Sequence, residues 1–515
     1  MRKPRVRPFS LPPVSLLLIA ALVLTWLPLA VSQAAAATFT VNSLAATPDA
    51  SPGDGVCDDG AAHCTLAAAI GEALGEPTCD PVDIELAVTG EILGGQSYTI
   101  PPYFPCFHPS LRIVGPGEDA VTIADGFSMR GWVSGGALET LPIVSLRGVH
   151  VRGPITATFT TVVLADMSID GDLTISCGAG RAGGGGGLVA DSASLAIVSL
   201  SACVNLDITD STLKSLYGRN LARANLVRAR VSGGGLTITW DGISTGYTDI
   251  LVQDSIIEDS PGAGVTVNGG RLVRTTIRGN RGGGLVHSGG AQAGALLSIE
   301  ECTISGNSTP GNGGGLALAW PGESIVASTI VDNQADSDGD GLGDGGGIYT
   351  TGLVTISSSI IARNSDVGGE APDCFGTLNS SKNLIGSGVG CSFHDSTGDL
   401  FNADPMLAPL ADNGGPTPTH ALLQGSPAID AAGACSDTDQ RGIARPQGAA
   451  CDIGAFEFAC GNGAVDPGEE CDPGHPQDGD CCSADCRFQA TGSLCADDAE
   501  PCTADDWSCP GRVDT

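Results

Sequence analysis

The feature that most constrains this chain is a short motif that recurs along its middle: an Ile, two variable residues, an Asn and, in three of the four copies, a run of glycines. The Asn residues of successive copies are 27, 26 and 31 residues apart, which lies in the period range of folds built from stacked coils. Each copy is therefore predicted to form one coil. The copies are TTIRGN, CTISGN, STIVDN and SIIARN, which end at Asn280, Asn307, Asn333 and Asn364.

The alternation of polar and apolar residues within each copy predicts a strand with one buried side. One coil cannot bury its Ile, but a second coil stacked about 4.8 Å above it can. We therefore predict an all-β fold, a right-handed parallel β-helix with an N-terminal cap and a small disulfide-rich C-terminal module. The alternative is a β-sandwich with Gly-rich loops, in which nothing requires a corner residue to recur at a fixed period. Two sets of residues are predicted to be in register: Ile277, Ile304 and Ile330 inside, and Asn280, Asn307 and Asn333 at the corners.

Residues 1–36 have the pattern of a secretory signal peptide. Four basic residues precede an apolar run from Leu16 to Ala30, and small residues follow at 34–37, where we expect cleavage. A membrane anchor is the alternative, but the run is short for a helix that spans a bilayer, and no later stretch could span one. We expect the mature protein to be secreted or held on the outer cell surface, with no transmembrane segment.

The charge of the chain limits its partners. The sequence has 24 basic and 58 acidic residues, a formal net charge of −34. Removal of the four basic residues of the signal leaves 20 basic residues and a net charge of −38. Such a charge disfavours nucleic acid and anionic membrane surfaces. Cations, basic surfaces and neutral glycans remain compatible.

Residues 37–75 form the segment that we expect to cap the first coil, because an open apolar end of a solenoid is an aggregation edge. It contains a turn-rich loop at 52–55 (PGDG) and an Ala-rich stretch, predicted to be helical, that begins at 64–70 (CTLAAAI). These two stretches resemble the N-terminal Cys-Ser-Leu-Arg-Glu-Ala motif of bacterial surface β-helix proteins. Ala67 and Ala68 stand where that family has Arg and Glu, so a role of that charged pair does not carry over.

Coils are predicted over residues 76–365, and residues 366–458 form a closing region. The coils resemble the repeats of polymorphic outer-membrane adhesins, with Ile in place of Phe. The closing region resembles the choice-of-anchor Q domain of bacterial surface β-helix proteins, which implies a location and an architecture but no chemistry. The stretches that carry this second resemblance are Asp373–Gly386, Asn402–Asp430, Asp439–Pro446 and Cys451–Phe458.

Residues 459–515 form a small module that holds eight of the 19 cysteines. It resembles the Cys-rich repeats of myxobacterial surface proteins, and its low apolar content predicts that disulfides stabilise it. A zinc site is the alternative, although thiolates in an exported module usually oxidise. The eight residues are Cys460, Cys471, Cys481, Cys482, Cys486, Cys495, Cys502 and Cys509.

Eleven cysteines precede that module, so local pairing leaves one over. Cys302 fills the position that Thr275 and Ser328 occupy in neighbouring copies, and those copies offer no second Cys. We predict that Cys302 is an unpaired thiol. Connectivity cannot be deduced from sequence alone, but proximity suggests five pairs: Cys57 with Cys64, Cys79 with Cys106, Cys177 with Cys203, Cys374 with Cys391, and Cys435 with Cys451.

An Asp-rich loop at 336–344 (DSDGDGLGD) has the spacing of a calcium loop. Alternate carboxylates in a tight turn can converge on a hard cation that takes six to eight oxygen ligands. Position twelve is Gly347 rather than the bidentate Glu of an EF-hand, so the loop is closer to the repeats of thrombospondin type 3 modules, and weak binding is expected. The alternative is a solvated acidic loop. Calcium is the only cofactor expected, with four candidate ligands: Asp336, Asp338, Asp340 and Asp344.

One stretch combines aromatic residues with charges, as a face that binds or cleaves a polysaccharide would. The aromatic rings could stack on sugars, and two Asp residues could act as acid and base. Ordinary solvent-facing charge on successive coils is the alternative, and no recognisable lyase or hydrolase motif supports catalysis. The face is predicted from Trp240, Asp241, Tyr247, Asp249 and Asp254, with Arg271, Arg274 and Arg278 nearby.

Two further stretches have a local pattern. Leu216, Leu221, Leu226 and Val231 recur at intervals of five, which predicts about one turn of a pentapeptide-repeat coil. His287, beside a glycine corner, is predicted to lie at the surface.

The sequence favours a structural display or adhesion role over enzyme activity, with an extracellular glycan or protein as the ligand. The alternative is a polysaccharide-binding or polysaccharide-degrading protein that uses the face between Trp240 and Arg278. The two are distinguished by whether Asp241, Asp249 and Asp254 cluster with the arginines in one groove.

Overall fold

The computed structural model describes residues 37–75, 81–94, 96–99, 110–131, 143–178, 186–239, 249–287, 296–433, 435–460 and 471. The predicted signal peptide and nearly all of the Cys-rich module lie outside these ranges. Helix α1 spans Leu66–Gly75. The strands, in chain order, are β1 Ala37–Val41, β2 Val82–Leu86, β3 Gly90–Ile92, β4 Gln96–Thr99, β5 Ser110–Val114, β6 Val121–Ile123, β7 Phe127–Arg130, β8 Ile143–Arg147, β9 His150–Val151, β10 Ile155–Thr158, β11 Thr161–Ile169, β12 Leu173–Ser176, β13 Gly187–Ser201, β14 Asn205–Thr209, β15 Thr212–Arg219, β16 Arg223–Val227, β17 Arg230–Ser232, β18 Leu236–Thr239, β19 Asp249–Gln253, β20 Ile256–Glu258, β21 Val265–Val267, β22 Gly270–Val273, β23 Thr276–Arg278, β24 Leu285–His287, β25 Leu297–Glu300, β26 Thr303–Ser305, β27 Leu316–Leu318, β28 Ser324–Val326, β29 Thr329–Val331, β30 Gln334–Ala335, β31 Ile348–Ser357, β32 Ile360–Ala362, β33 Ser365–Asp366, β34 Cys374–Ser381, β35 Leu384–Ile385, β36 Cys391–Thr397 and β37 Leu400–Phe401.

Each coil runs through three strand positions, and each strand pairs in parallel with its counterpart in the next coil. We call the three stacks faces A, B and C. Face A begins with β1, β2 and β5, face B with β3, β6 and β9, and face C with β4, β7 and β10. A long strand such as β13 bends through all three faces. The predicted parallel β-helix is confirmed.

The apolar residues of the repeat stack inside the solenoid. Ile277, Ile304 and Ile330 pair in register on face B, and each is fully buried. Burial of one such side chain contributes roughly 1.5–3 kcal/mol. Each coil obtains this contribution only from its neighbours, as the repeat predicts.

The asparagines form a hydrogen-bonded ladder at the corner between faces B and C. Nδ2 of Asn280 donates to Oδ1 of Asn307 at 2.8 Å, and Nδ2 of Asn307 donates to Oδ1 of Asn333 at 2.9 Å. The same oxygens accept the backbone N–H groups of the preceding Asn at 3.1 and 3.0 Å. The ladder continues to Asn364 at 3.0 Å and ends at the carboxylate of Asp373 at 2.9 Å. The predicted register is confirmed.

A second ladder lies at the corner between faces A and B, where one residue with positive φ, such as Glu301 at 54°, turns the chain. The next residue points inward. The Cys302 N–H donates to Oγ of Ser328 at 3.1 Å, and the Ser328 N–H donates to Oγ of Ser359 at 3.1 Å. A small side chain with a polar tip suits this position, which is why Thr, Ser and Cys occupy it in successive coils.

Several coils in the first half of the solenoid contain only 18 residues, as the pairing of Asp207 with Asn225 illustrates. They include the stretch with the five-residue rhythm, and the predicted pentapeptide-repeat coil is wrong. Leu216 points inward from face C, Leu226 from face A and Val231 from face B. The even spacing arises because a buried leucine, Leu221, also fills the corner between faces C and A.

The N-terminal segment covers the start of the solenoid. Helix α1 forms as predicted and packs against β1 and β2. The Ala68 N–H donates to Oγ1 of Thr65 at 3.0 Å, which caps the helix. The buried carboxylate of Glu72 accepts the N–H groups of Gly53, at 2.7 Å, and of Gly55. This carboxylate therefore ties the 52–55 loop to the helix.

Residues 402–433 and 435–460, which we call the strap, lie along the outer side of face B. Face B is consequently buried on both sides in these coils. Val331, Ile360 and Leu384 point outward from the solenoid and pack with Leu422 and Phe456 of the strap in a second apolar core. This packing explains why every residue of β29 and β32 is buried.

Polar contacts fix the strap in register with the coils. Oγ1 of Thr303 donates to Oε1 of Gln440 at 2.6 Å, and Nε2 of Gln440 donates to Oγ1 of Thr276 at 2.9 Å. One coil further on, Oγ1 of Thr329 accepts the Ala455 N–H at 3.0 Å. Threonines that would face solvent in a bare solenoid are therefore satisfied by the strap.

Cysteine pairing largely follows the prediction. Cys302 is unpaired and buried, and burial raises the pKa of its thiol to about 12. The predicted pair of Cys79 with Cys106 lies outside the described residues, as do the module cysteines other than Cys460 and Cys471, which are both disulfide-bonded. The four remaining predicted pairs are present: Cys57–Cys64, Cys177–Cys203, Cys374–Cys391 and Cys435–Cys451.

Candidate functional site

The acidic loop follows the Asn corner between faces B and C and is organised around Asp336. This residue has a φ of 49° and is 1% exposed. Its two carboxylate oxygens accept the Gly341 N–H at 3.1 and 3.2 Å. The Gly339 N–H donates to the Asp336 carbonyl at 3.0 Å and closes a turn. Positive φ at Gly339 (73°) and Gly341 (80°) allows the loop to curl back.

This curl brings three of the four predicted calcium ligands together. Asp336, Asp338 and Asp340 each place one carboxylate oxygen within 4.8 Å of the others. Like charges this close repel one another, and a cation between them would remove the repulsion. The donor set is made of hard oxygens, which suits calcium.

Asp344, the fourth predicted ligand, is not a member of this group. Its N–H donates to Oδ1 of Asn312 at 2.8 Å. Burial raises the pKa of its carboxyl group, and the nearby charges of Asp366 and Glu370 raise it further. The charges that act on Asp344 are therefore those of acidic residues in the next coil, not those of the three converging carboxylates.

Gly347, at the twelfth position of the loop, has no room for a ligand. A Cβ atom there would lie 2.5 Å from the Asp373 carbonyl and 2.7 Å from Nδ2 of Asn364. The ladder at this corner thus excludes the Glu of an EF-hand. Any further oxygens would have to come from the backbone or from water.

The predicted glycan face is only partly described. Trp240, Asp241 and Tyr247 lie outside the described residues. Asp249 is exposed at the start of β19, and Asp254 lies in the corner that follows this strand. The Asp254 carboxylate accepts Nε and Nη2 of Arg274 at 2.7 and 3.1 Å.

The other arginines of this face are also engaged in ion pairs. Nη2 of Arg271 lies 2.8 Å from Glu300, and Nη2 of Arg278 lies 2.6 Å from Glu258. Each pair joins one coil to an adjacent coil. The charges in the described part of the face therefore pair between successive coils, as the alternative to a glycan-binding face predicted.

His287 is buried, so the prediction that it lies at the surface is wrong. The residue is the third of β24, and the alternation of a strand turns it to the same inner side as Leu285. Its Nδ1 contacts Oε1 of Glu323, which is also buried. Strand alternation in Leu285-Val286-His287 is the signal that could have revealed this.

The sequence did not reveal a group of buried charged residues where the strap meets the solenoid. Arg441 and Arg445 come from the 439–446 stretch, and Asp452 and Glu457 from the 451–458 stretch. The solenoid adds Glu301 from the corner between faces A and B. Local patterns in the sequence do not indicate that these segments meet.

A scan against models of protein families finds no match, and a search of curated proteins finds no relative. Among the described residues, no helix combines the length and apolar character needed to cross a membrane.

Proposed function

We propose that this chain is an exported, stiff β-helix with a display or adhesion role at the cell surface. The observation that carries the proposal is the length of the continuous stack. Face A contains fifteen strand segments from β1 to β36, which at about 4.8 Å per step amounts to a rod of roughly 70 Å.

Several features of the rod support an extracellular role. The two polar ladders and the ion pairs between coils connect each coil to its neighbours. Disulfides are typical of oxidising compartments, as expected after cleavage of a signal peptide. The resemblances to surface β-helix proteins at 52–70 and 373–458 favour the same location. A solenoid of this length presents an extended surface to a partner, which we propose is an extracellular glycan or protein.

Export and adhesion are tested with the full chain expressed in a bacterial host. We expect protease added to intact cells to remove the protein, and the cells to bind immobilised glycans or matrix proteins more than cells without it. A matched chain lacking residues 1–36 should remain inside with its cysteines reduced. Protein that stays protected inside the cell with residues 1–36 intact would contradict export, and surface protein without any gain in binding would contradict adhesion.

We also propose that Asp336, Asp338 and Asp340 bind calcium weakly. Calcium would offset the repulsion among the three carboxylates and order the loop. Removal of calcium should therefore increase proteolysis between Ala335 and Gly345. The measurement is limited proteolysis with calcium and with chelator. Equal cleavage in both conditions would refute the site.

Two variants sharpen this experiment. Asp338→Asn removes one charge from the group and should abolish the effect of calcium on cleavage. Asp412→Asn changes an exposed Asp of the strap and should leave that effect intact. The same response in both variants would mean that calcium acts elsewhere on the protein.

A further inference from the structure

The buried charges beneath the strap are unbalanced. Four carboxyl groups and two guanidinium groups lie together where the strap meets the solenoid, so that complete ionisation would leave two excess negative charges in a buried site. The carboxyl groups belong to Glu301, Asp439, Asp452 and Glu457, and the guanidinium groups to Arg441 and Arg445.

Both arginines are committed to two of the carboxylates. Nε of Arg441 donates to Oδ2 of Asp439 at 2.8 Å, and its guanidinium lies 3.6 Å from the ring centre of Phe456. Nη1 of Arg445 donates to Oε2 of Glu457 at 3.2 Å. Asp439 and Glu457 are therefore compensated by direct contacts with cations.

The other two carboxyl groups make no such contact. Asp452 accepts only backbone N–H groups, from Asp430 at 2.7 Å and Phe458 at 2.6 Å. Oε1 of Glu301 and Nε of Arg445 are both buried without a hydrogen-bond partner. A buried carboxylate without a partner is unfavourable, whereas its protonated form is less so.

The surroundings of these two groups favour protonation. Burial raises the pKa of Glu301 to about 7; Arg445 and Arg274 oppose this shift, and Asp439 and Glu300 add to it. Burial also raises the pKa of Asp452 to about 7, assisted by the charge of Glu457 and opposed by its two backbone donors and Arg445. Glu301 loses this environment when the strap leaves the coils. Asp452 keeps its backbone donors but loses the cover of the coils, which meet the strap nearby where the Gly454 N–H donates to the Ser358 carbonyl at 2.9 Å.

We propose that the strap is a clasp that mild acid tightens and mild alkali loosens. The closed form buries Glu301 and Asp452 and favours their protonation, so closure takes up protons. Lowering the pH from 8 to 6 therefore stabilises closure, and this contribution is lost as the pH rises through about 7. Loosening would uncover the threonines of face B that Gln440 and Ala455 now satisfy.

His420 gives another part of the strap the opposite response. Burial lowers the pKa of its imidazole, the Ala408 carbonyl and Asp332 oppose the shift, and Arg363 adds to it. Its Nε2 lies 2.8 Å from Oγ of Ser305 on face B. Closure therefore disfavours protonated His420, and acid below its ordinary pKa of 6.5 would weaken this contact. The two parts of the strap are thus distinguishable by position.

The test is hydrogen exchange of the full chain between pH 6 and 8, followed by mass spectrometry and expressed as protection factors corrected for intrinsic exchange. We expect residues 439–457 to lose up to about a hundredfold in protection at pH 8, because Glu301 and Asp452, each with a pKa of about 7, contribute about tenfold each over this range. Residues 408–422 should not share the loss. Protection at 439–457 that does not fall towards pH 8 would overturn the proposal.

Two variants show whether the change in protection with pH comes from Glu301. Glu301→Gln removes one titrating group and should reduce the pH-dependent change without abolishing it, because Asp452 still titrates and burial also raises the pKa of Glu457. Glu85→Gln alters an exposed Glu on β2 and should behave as the unaltered protein. An unchanged response in Glu301→Gln would also overturn the proposal. The response of the unaltered protein decides the question even if Glu301→Gln folds poorly.

Discussion

Replacement of Asn307 by Ala should destabilise the solenoid strongly, although it removes no apolar surface. Nδ2 of Asn307 donates to Oδ1 of Asn333 at 2.9 Å and to the Ile277 carbonyl at 3.0 Å. Its Oδ1 accepts the N–H and Nδ2 of Asn280 at 3.1 and 2.8 Å. Four hydrogen bonds are lost, each with a net contribution of about 1 kcal/mol. Buried partners left unsatisfied add to this cost, so we expect a loss of about 4–5 kcal/mol.

Urea unfolding followed by circular dichroism measures this loss of unfolding free energy, in the transition in which the strands of face B unfold. The matched control is Asn205→Ala, which changes an exposed Asn at the start of β14 and should cost less than about 1 kcal/mol. If Asn307→Ala costs no more than the control, the ladder does not contribute as argued. Water would then have to satisfy the groups that Asn307 leaves.

Two further predictions concern positions inside the coils. Cys302→Ser should lower the free energy of unfolding by less than about 1 kcal/mol, because a hydroxyl can donate to the Glu300 carbonyl as Sγ does at 3.2 Å. The native thiol, whose pKa is raised, should react with a thiol reagent only after unfolding. Rapid labelling of the folded protein would contradict its burial. Gly347→Ala should cost about 3 kcal/mol in urea unfolding, because the new Cβ meets the backbone of Asp373 at 2.5 Å. Gly311→Ala, whose Cβ would meet nothing within 4 Å, is its control, and equal stability of the two variants would refute the steric argument.

The periodic part of the fold could be predicted because its interactions repeat. One coil specifies the environment of the next, so the recurrence of Asn280, Asn307 and Asn333 was enough to place these residues in one ladder. Cys302 could be identified as the odd thiol for the same reason, since Thr275 and Ser328 showed what its position requires. Register in such a stack follows from sequence spacing alone.

The strap could not be predicted, because it does not repeat. Thr303 and Gln440 are 137 residues apart in sequence, and neither residue belongs to a pattern that includes the other. The charges of Arg445 and Glu301 are ordinary in sequence and become unusual only through burial. The acidic loop lies between these extremes: its spacing predicted four converging carboxylates, of which Asp336, Asp338 and Asp340 converge, whereas Asp344 lies within reach of the charge of Asp366 instead.

The ladder that ends at Asp373 bears on how such a chain can change in length over evolution. Each Asn bonds to an identical Asn, so duplication of a whole coil would create a junction chemically equal to those already present. The strap removes this freedom from the coils that it crosses, since Thr276, Thr303 and Thr329 must keep their distances to Gln440 and Ala455. All four asparagines belong to coils that the strap crosses, and the ladder is preceded by Ser260 rather than by another Asn. The strapped end is therefore expected to keep a constant number of coils, although its junctions are chemically alike.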